Sequence, residues 1–576
     1  MKSAVLLLLL PFAACRQVPA QIQDPPAERG VGTCSLRGFT LAESFGLGYG
    51  EFPNSGMDEA QECFLLGLTL LHSFEYEDAA EAFHEAQAID PGFALAYWGE
   101  ALTYCHPIWN EDFPDRAHAA LERLAPSAAE RLAKAPTERE KGLLGAVEVL
   151  WGEGKRLERN RAYCAAMEAL RARFPDDDEI AAFTALAILG TSGPTRDIPT
   201  YMRAAALAEQ VYEHNPDHPG AIHYAIHAYD DPVHAPLGLR MANRYAEVEP
   251  NSQHALHMPS HIYVALGMWQ ASVDTNVRSV EAADARRARK ELGVDARGFH
   301  SLAWLAYSYL QMGRVADART LLAEVQRDAD EAGSKRTHTH LAIMRAAYLV
   351  DAGGLAPGGG DDALAISVDT KDLGLDVAVA DLFTTGASAA RCGELERAEA
   401  ALAGIVEGLA SAEAEATAVG AALSCCRVGN GGYGAASPER AAAEVMRRQL
   451  EGEIALARGE SEVGLAALRE ATRLEDAMGF DFGPPMVVKP AHELLGEALL
   501  ARGDAPGAVQ EFDAALKRAP RRARSLLGKA RALQAAGDAQ GSSAAYAELA
   551  SIWSGADAEL PDLGEVRARA GAAAGG

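Results

Sequence analysis

Eight of the sixteen histidines in this 576-residue chain fall between His214 and His261. Most lie in two runs, A-I-H-Y-A-I-H-A-Y-D-D-P-V-H at 221–234 and N-S-Q-H-A-L-H-M-P-S-H-I-Y at 251–263. Neutral imidazole nitrogen is the commonest ligand of Zn, Cu, Ni and Fe. The spacing H-x-x-x-H sets two such ligands one turn apart on a single helix face. His223 with His227, and His257 with His261, have that spacing. These four are expected to hold one transition metal ion (Zn, Cu, Ni or Fe). His254, His234 and His300, with Asp230 or Asp231, are expected to complete the set or to orient the imidazoles from outside. His214 and His218, in the turn E-H-N-P-D-H-P, read as ordinary hydrogen-bonded polar residues.

The motifs of known catalytic machinery are missing. H-Y-A-I-H has no glutamate beside its first histidine, so it is not the H-E-x-x-H of metalloproteases. We find no G-x-S-x-G elbow, P-loop or dinucleotide fingerprint. With no catalytic base evident, a binding scaffold is preferred to its alternative, a metal-dependent enzyme with the histidines as active site. A pH sensor built on clustered imidazoles is a third reading. A net charge of −28 argues against nucleic acid, which needs a basic footprint.

Aromatics make up only 7% of the chain, alanine and leucine dominate, and the composition points to helices. Self-similarity is the strongest signal. Residues 60–93 carry Leu66-Gly67, Leu70, Ala79, Phe83, Ala86 and Pro91; residues from 489 carry Leu495-Gly496, Leu499, Gly503, Ala508, Phe512, Ala515 and Pro520. Further units start at 94, 219, 253, 299, 379, 445 and 523. This pattern resembles the 34-residue tetratricopeptide repeat (TPR), which implies an all-α solenoid of stacked antiparallel helix pairs. L-L-H-S-F-E-Y-E-D-A (70–79), A-Y-W-G-E-A (96–101), H-M-P-S-H-I-Y (257–263) and G-P-P-M-V-V-K-P-A-H-E-L-L-G-E (483–497) further resemble a group of exported bacterial proteins of this repeat class.

The resemblance implies that the first helix of each unit lines a concave groove able to bind a protein or peptide. In that register His223, His227, His254, His257, His261 and His300 all face the groove. At ~100° per residue, the three histidines of 254–261 share an arc of roughly 60°. Pro259 either kinks their helix or starts it, and a start there leaves His254 and His257 on a loop. Trp98, Cys105, His106 and Trp109 are expected to line the same groove further towards the N-terminus. Glu100, at a normally apolar position, is expected to be a buried, paired acid or a local irregularity.

The first residues, M-K-S-A-V-L-L-L-L-L-P-F-A-A-C, read as a secretory signal, too short to span a bilayer. Phe12-Ala13-Ala14-Cys15 reads as a lipobox with Cys15 lipidated, implying a membrane-anchored lipoprotein; cleavage after Ala20 is the alternative and gives a soluble periplasmic protein. Domains are expected at 1–15 (signal), 16–55 (linker), 56–352 (N-terminal solenoid with the histidines), 353–370 (loop), 371–565 (C-terminal solenoid) and 566–576 (flexible tail). Cys63 is expected to be a small apolar filler on a buried helix face.

Overall fold

Phe83 shows how the repeat packs. Its ring lies between two glycines on the flanking helices, and a Cβ on Gly67 or Gly99 would come within 2.9 and 2.3 Å of it. Near the other end of the chain Phe512 sits in the same way between Gly496 and Gly528, where a Cβ would come within 3.0 and 2.2 Å. A buried aromatic thus fills the space that two missing side chains leave, and the helices close around it. The same spacing recurs along the chain. Second helices begin at Ala235 and Trp269, and again at Ala505 and Ala539, each pair 34 residues apart.

The computed structural model describes residues 52–193, 196–353, 355, 361–422, 437–480 and 482–571. They form an all-α solenoid of antiparallel helix pairs; the one strand pairing among the described residues is the short hairpin Cys105–His106 with Glu111–Asp112. None of these helices is long and apolar enough to cross a membrane. The signal, Cys15 and most of the linker lie outside the described residues, as do 354 and 356–360 of the expected loop and 572–576. Part of the expected 353–370 loop is a helical turn, Asp361–Leu364. The expected flexible tail is helical as far as Gly571, because Leu563 and Val566 are buried against the C-terminal core.

The apolar core consists of two clusters, one from Phe52 to Ala265 and one from Val264 to Val566. They meet inside the unit that carries the second histidine run, well before the boundary expected at 353–370. Residues 520–522 close the seam. Trp269 Nε1–H donates to the Arg521 carbonyl (3.0 Å), and Arg521 Nη1 donates to the Gly267 carbonyl (2.9 Å). Gly267 has φ 64°, and a Cβ there would lie 2.5 Å from the Pro520 carbonyl oxygen, so only glycine fits.

Six helices build the site: α1 (Gln61–His72), α2 (Pro219–Tyr229), α3 (Gln253–His257), α4 (Pro259–Ala265), α5 (Trp269–Lys290) and α6 (Phe299–Gln311). Ser252 caps α3 by accepting from the Ala255 N–H, and His218 Nδ1 accepts from the Ala221 N–H at the start of α2. Pro259 is the first residue of α4, and Met258 before it is helical (φ −53°, ψ −37°), so α3 and α4 form one helix broken at the proline. His254 and His257 are therefore helical, on the N-terminal side of the break. The chain after α1 closes on this unit: Glu75 accepts from the His254 N–H (3.0 Å) and from Ser252 Oγ (3.1 Å).

Beside that contact lies Glu249, buried, with Oε1 lacking a hydrogen-bond partner. Burial, and then the nearby Glu75 carboxylate, push its carboxyl well above the usual range. A raised folded-state value means that the folded chain holds a proton which the unfolded chain gives up. Stability is therefore lost as pH rises past the ordinary glutamate value. Glu249→Gln removes that linkage and is expected to stabilise the protein by about 1–3 kcal/mol at pH 7, with little gain near pH 4. Denaturant melts of the variant at the two pH values check this.

Candidate metal centre

His257 and His261 lie on either side of the helix break with their Nε2 atoms 3.1 Å apart. Their other nitrogens are anchored. His257 Nδ1 meets Asn276 Oδ1 at 2.7 Å, and the Asn276 amide is oriented by donating from Nδ2 to the Ser272 carbonyl (2.8 Å). That fixes Oδ1 as an acceptor, so the proton of His257 is on Nδ1. His261 Nδ1 meets Asp230 Oδ2 at 2.5 Å, and a carboxylate likewise takes a proton from it. In the neutral rings both Nε2 atoms then carry lone pairs, and these face one another. A positive charge shared between them, a proton or a metal ion, relieves the repulsion. Two nitrogens about 2.0–2.1 Å from a tetrahedral ion sit roughly 3.4 Å apart, near the separation seen. His300, on α6, supplies a third nitrogen, and all three lie within 4.8 Å of one another. Trp304 walls the group, its ring centroid 4.4 Å from that of His261 and 4.9 Å from that of His257.

A second triad lies alongside: His223 and His227 on α2 and His254 on α3, again with one nitrogen from each within 4.8 Å of the others. His223 Nδ1–H donates to the His72 carbonyl at the end of α1 (2.6 Å), leaving Nε2 bare and 3.1 Å from His254 Nε2. His227 Nε2 is buried without a hydrogen-bond partner. Phe74 walls this triad, 4.2 Å from His223 and 5.6 Å from His254 between centroids. Its backbone has φ 55°, a left-handed conformation that an aromatic residue adopts only under constraint.

Burial, and then the neighbouring imidazoles, hold His223, His227, His254 and His257 well below the ordinary histidine range; His300 is lowered to about 3 by the same two causes. These rings are neutral at pH 7, the state that a metal needs. No carboxylate stands among either set of three nitrogens. Such a donor set suits late first-row ions rather than Mg²⁺, Ca²⁺ or Mn²⁺.

The structure brings the four expected ligands together, divided between the triads, with His254 and His300 alongside them. Asp230 orients His261 from outside. Asp231 and His234 belong elsewhere: His234 Nδ1 pairs with the Asp231 carboxylate (2.8 Å), which also takes Arg196 (3.1 Å). Trp98 is a correction. It is fully buried, packed against Phe183 and Phe52, because residues from outside the regular repeats cover the face that register alone points at the groove. His106 stacks on Tyr76 (3.9 Å), and Trp109, 44% exposed, stands over His254 (5.6 Å). Cys105 is half-buried, and burial pushes its thiol up to about 12, so it is no ready metal ligand. Glu100 is a buried acid paired with Arg123 and Gln87.

Cys63 is also corrected: it is disulfide-bonded, whereas Cys105, Cys164 and Cys392 are free thiols. Sequence reasoning missed Phe74, Asn276, Trp304 and Phe482, the last 5.7 Å from His261 between centroids. The stretch 70–79, singled out for its resemblance, holds both His72 and Phe74.

No protein-family model and no curated protein matches the chain. Among solved structures it is similar to the human IFIT1 dimer with m7Gppp-AAAA, at 13% identity over 88% of this chain and 95% of that one, with a TM-score of 0.35. It is also similar to yeast Tom70, at 11% identity over 89% and 95% with a TM-score of 0.30. A third is the Cut9–Hcn1 assembly of the APC/C, at 10% identity over 89% and 78% with a TM-score of 0.30. Likeness at this level is too slight to argue from, and the fold rests on the helix pairs described above.

Proposed function

We propose that this protein is an exported helical-repeat scaffold that binds a transition metal through the groove histidines and offers its concave surface to a protein or peptide. The observation that carries the metal reading is the pair of anchored imidazoles, His257 and His261, whose bare nitrogens face each other at 3.1 Å. Export is supported by the N-terminal leader and by the Cys63 disulfide, since such bonds persist in oxidising compartments. Lipidation at Cys15 would then tether the solenoid to a membrane. Elemental analysis of the purified protein tests the metal. At least one equivalent of Cu, Zn, Ni or Fe per chain is expected, with much of it lost in His257→Ala and His261→Ala. A folded protein that stays metal-free after incubation with Cu(II) and Zn(II) overturns the metal reading and leaves a proton between the rings.

A second reading, metal-dependent catalysis, is favoured by a specific feature. A cavity of about 650 Å³, lined in part by Asn110, Arg196, Tyr201 and Phe482, lies next to the cluster. Phe482 touches His261, and Arg196 bonds the carbonyls of His227 and Ala228. Three imidazoles leave a metal with open positions, and such a chamber could bring a substrate to them.

A further inference from the structure

We infer that the groove holds two metal ions side by side, one in the triad His223–His227–His254 and one in the triad His257–His261–His300. This rests on the metal reading above and deepens it. Four observations separate the triads into two sites. Each has its own set of three nitrogens within 4.8 Å. Each has its own facing Nε2 pair at 3.1 Å. The anchors are separate: the His72 carbonyl holds His223 in one triad, while Asn276 and Asp230 hold His257 and His261 in the other. The aromatic walls are separate as well, Phe74 for the first and Trp304 for the second.

The two sites are also neighbours. Between the triads the rings of His227 and His261 are 5.6 Å apart and those of His254 and His257 are 6.2 Å apart, within the spread found inside a triad. Each triad joins two elements, α2 with α3 in one case and α3–α4 with α6 in the other. The helix break at Pro259 therefore lies within the second triad, between His257 and His261. The six nitrogens fall into two groups of three rather than one group within 4.8 Å, so two ions each find three donors, the number that leaves an open position. Neutral imidazoles with no carboxylate among them favour copper most strongly of the first-row divalent ions. The chemical class is thus a paired, histidine-ligated centre of the copper or zinc type, able to take a small ligand on the ions' free positions.

Cu(II) added to the metal-stripped full-length protein tests this, with bound copper counted after removal of excess. Two equivalents are expected for the parent chain. His254→Ala and His300→Ala remove the least buried member of each triad, and each is expected to retain one equivalent, with the metal-stripped variants unfolding at the temperature of the metal-stripped parent. Electron paramagnetic resonance gives a second readout: adjacent Cu(II) ions couple and weaken the signal, and either variant should restore the spectrum of an isolated ion. A parent chain that binds one equivalent, with an uncoupled spectrum, overturns the paired centre but keeps the metal reading. A parent chain that binds none overturns both.

Discussion

Arg522→Met is expected to destabilise the C-terminal half by about 3–5 kcal/mol, the cost of breaking a buried ion pair from one side. Arg522 is fully buried and donates to two carboxylates, Asp351 (2.7 Å) and Glu493 (2.8 Å), and to the Tyr307 hydroxyl (3.0 Å). It ties residues more than 170 positions apart, next to the contact of Arg521 with Gly267 that closes the seam. Burial raises the Asp351 carboxyl even with Arg522 in place. At Glu493 burial works in the same direction, but Arg522 and Lys489 outweigh it and keep that carboxyl below the usual range. Without the guanidinium Asp351 would be stranded and its folded-state value would rise further, while Glu493 would keep Lys489 (2.9 Å). The folded variant would then hold more protons than its unfolded chain and gain stability as pH falls, opposite to the usual effect of losing an ion pair. Denaturant unfolding at pH 7 and pH 5 reads both effects. Adding Asp351→Asn should recover much of the loss, since the cost lies in the stranded Asp351 charge rather than in the missing arginine, and Glu493 still has Lys489. A single variant that loses under about 1 kcal/mol would show that water reaches the network.

The fold was largely legible in the sequence because its packing rule is local. A glycine about sixteen residues on either side of an aromatic, as around Phe83 and Phe512, recurs with the repeat, and any window of the chain displays it. The gathering of the histidines was legible in part: the register of the repeat resemblance brings His223, His227, His254, His257 and His261 to one face, although His223, His227, His257 and His261 prove to be buried there. What covers a face is a different matter. Trp98 satisfied the same register as the histidines, yet Phe52 and Phe183, from outside the regular repeats, bury it. The seam at 264–269 depends on Arg521, some 250 positions away, and no local period encodes such a contact. The division of the histidines into triads was hidden for a related reason. It is set by Phe74 after α1, Asn276 on α5 and Trp304 on α6, residues whose types give no hint of a metal until the rings they hold are seen.

Asp230→Asn is expected to weaken metal binding at the second triad by about 10–100-fold while leaving the fold intact, as is usual when the hydrogen-bond partner of a ligating histidine is changed. Asp230 stands at the C-terminal end of α2, the helix of the first triad, and its Oδ2 takes the Nδ1 proton of His261 in the second. Asparagine keeps an acceptor in that place but removes the charge that makes the imidazole a stronger donor to a metal. Oδ1 of Asp230 is buried without a hydrogen-bond partner. A carboxylate kept there at the cost of desolvation, with one oxygen unused, has a poor structural justification and a good electrostatic one, because a cation beside His261 would offset that cost. Asp231 provides the contrast. Its carboxylate holds Arg196 and accepts from the Val233 and His234 N–H groups, so it fastens a turn and has no contact with either triad. Asp231→Asn should therefore lower the melting temperature with metal affinity nearly unchanged, and Asp230→Asn should do the reverse. Competition titration with a chelator, run beside thermal melts of both variants, separates the two. Equal affinity in the parent chain and Asp230→Asn would mean that the short contact with His261 serves folding alone, and the electrostatic role given to Asp230 would fall.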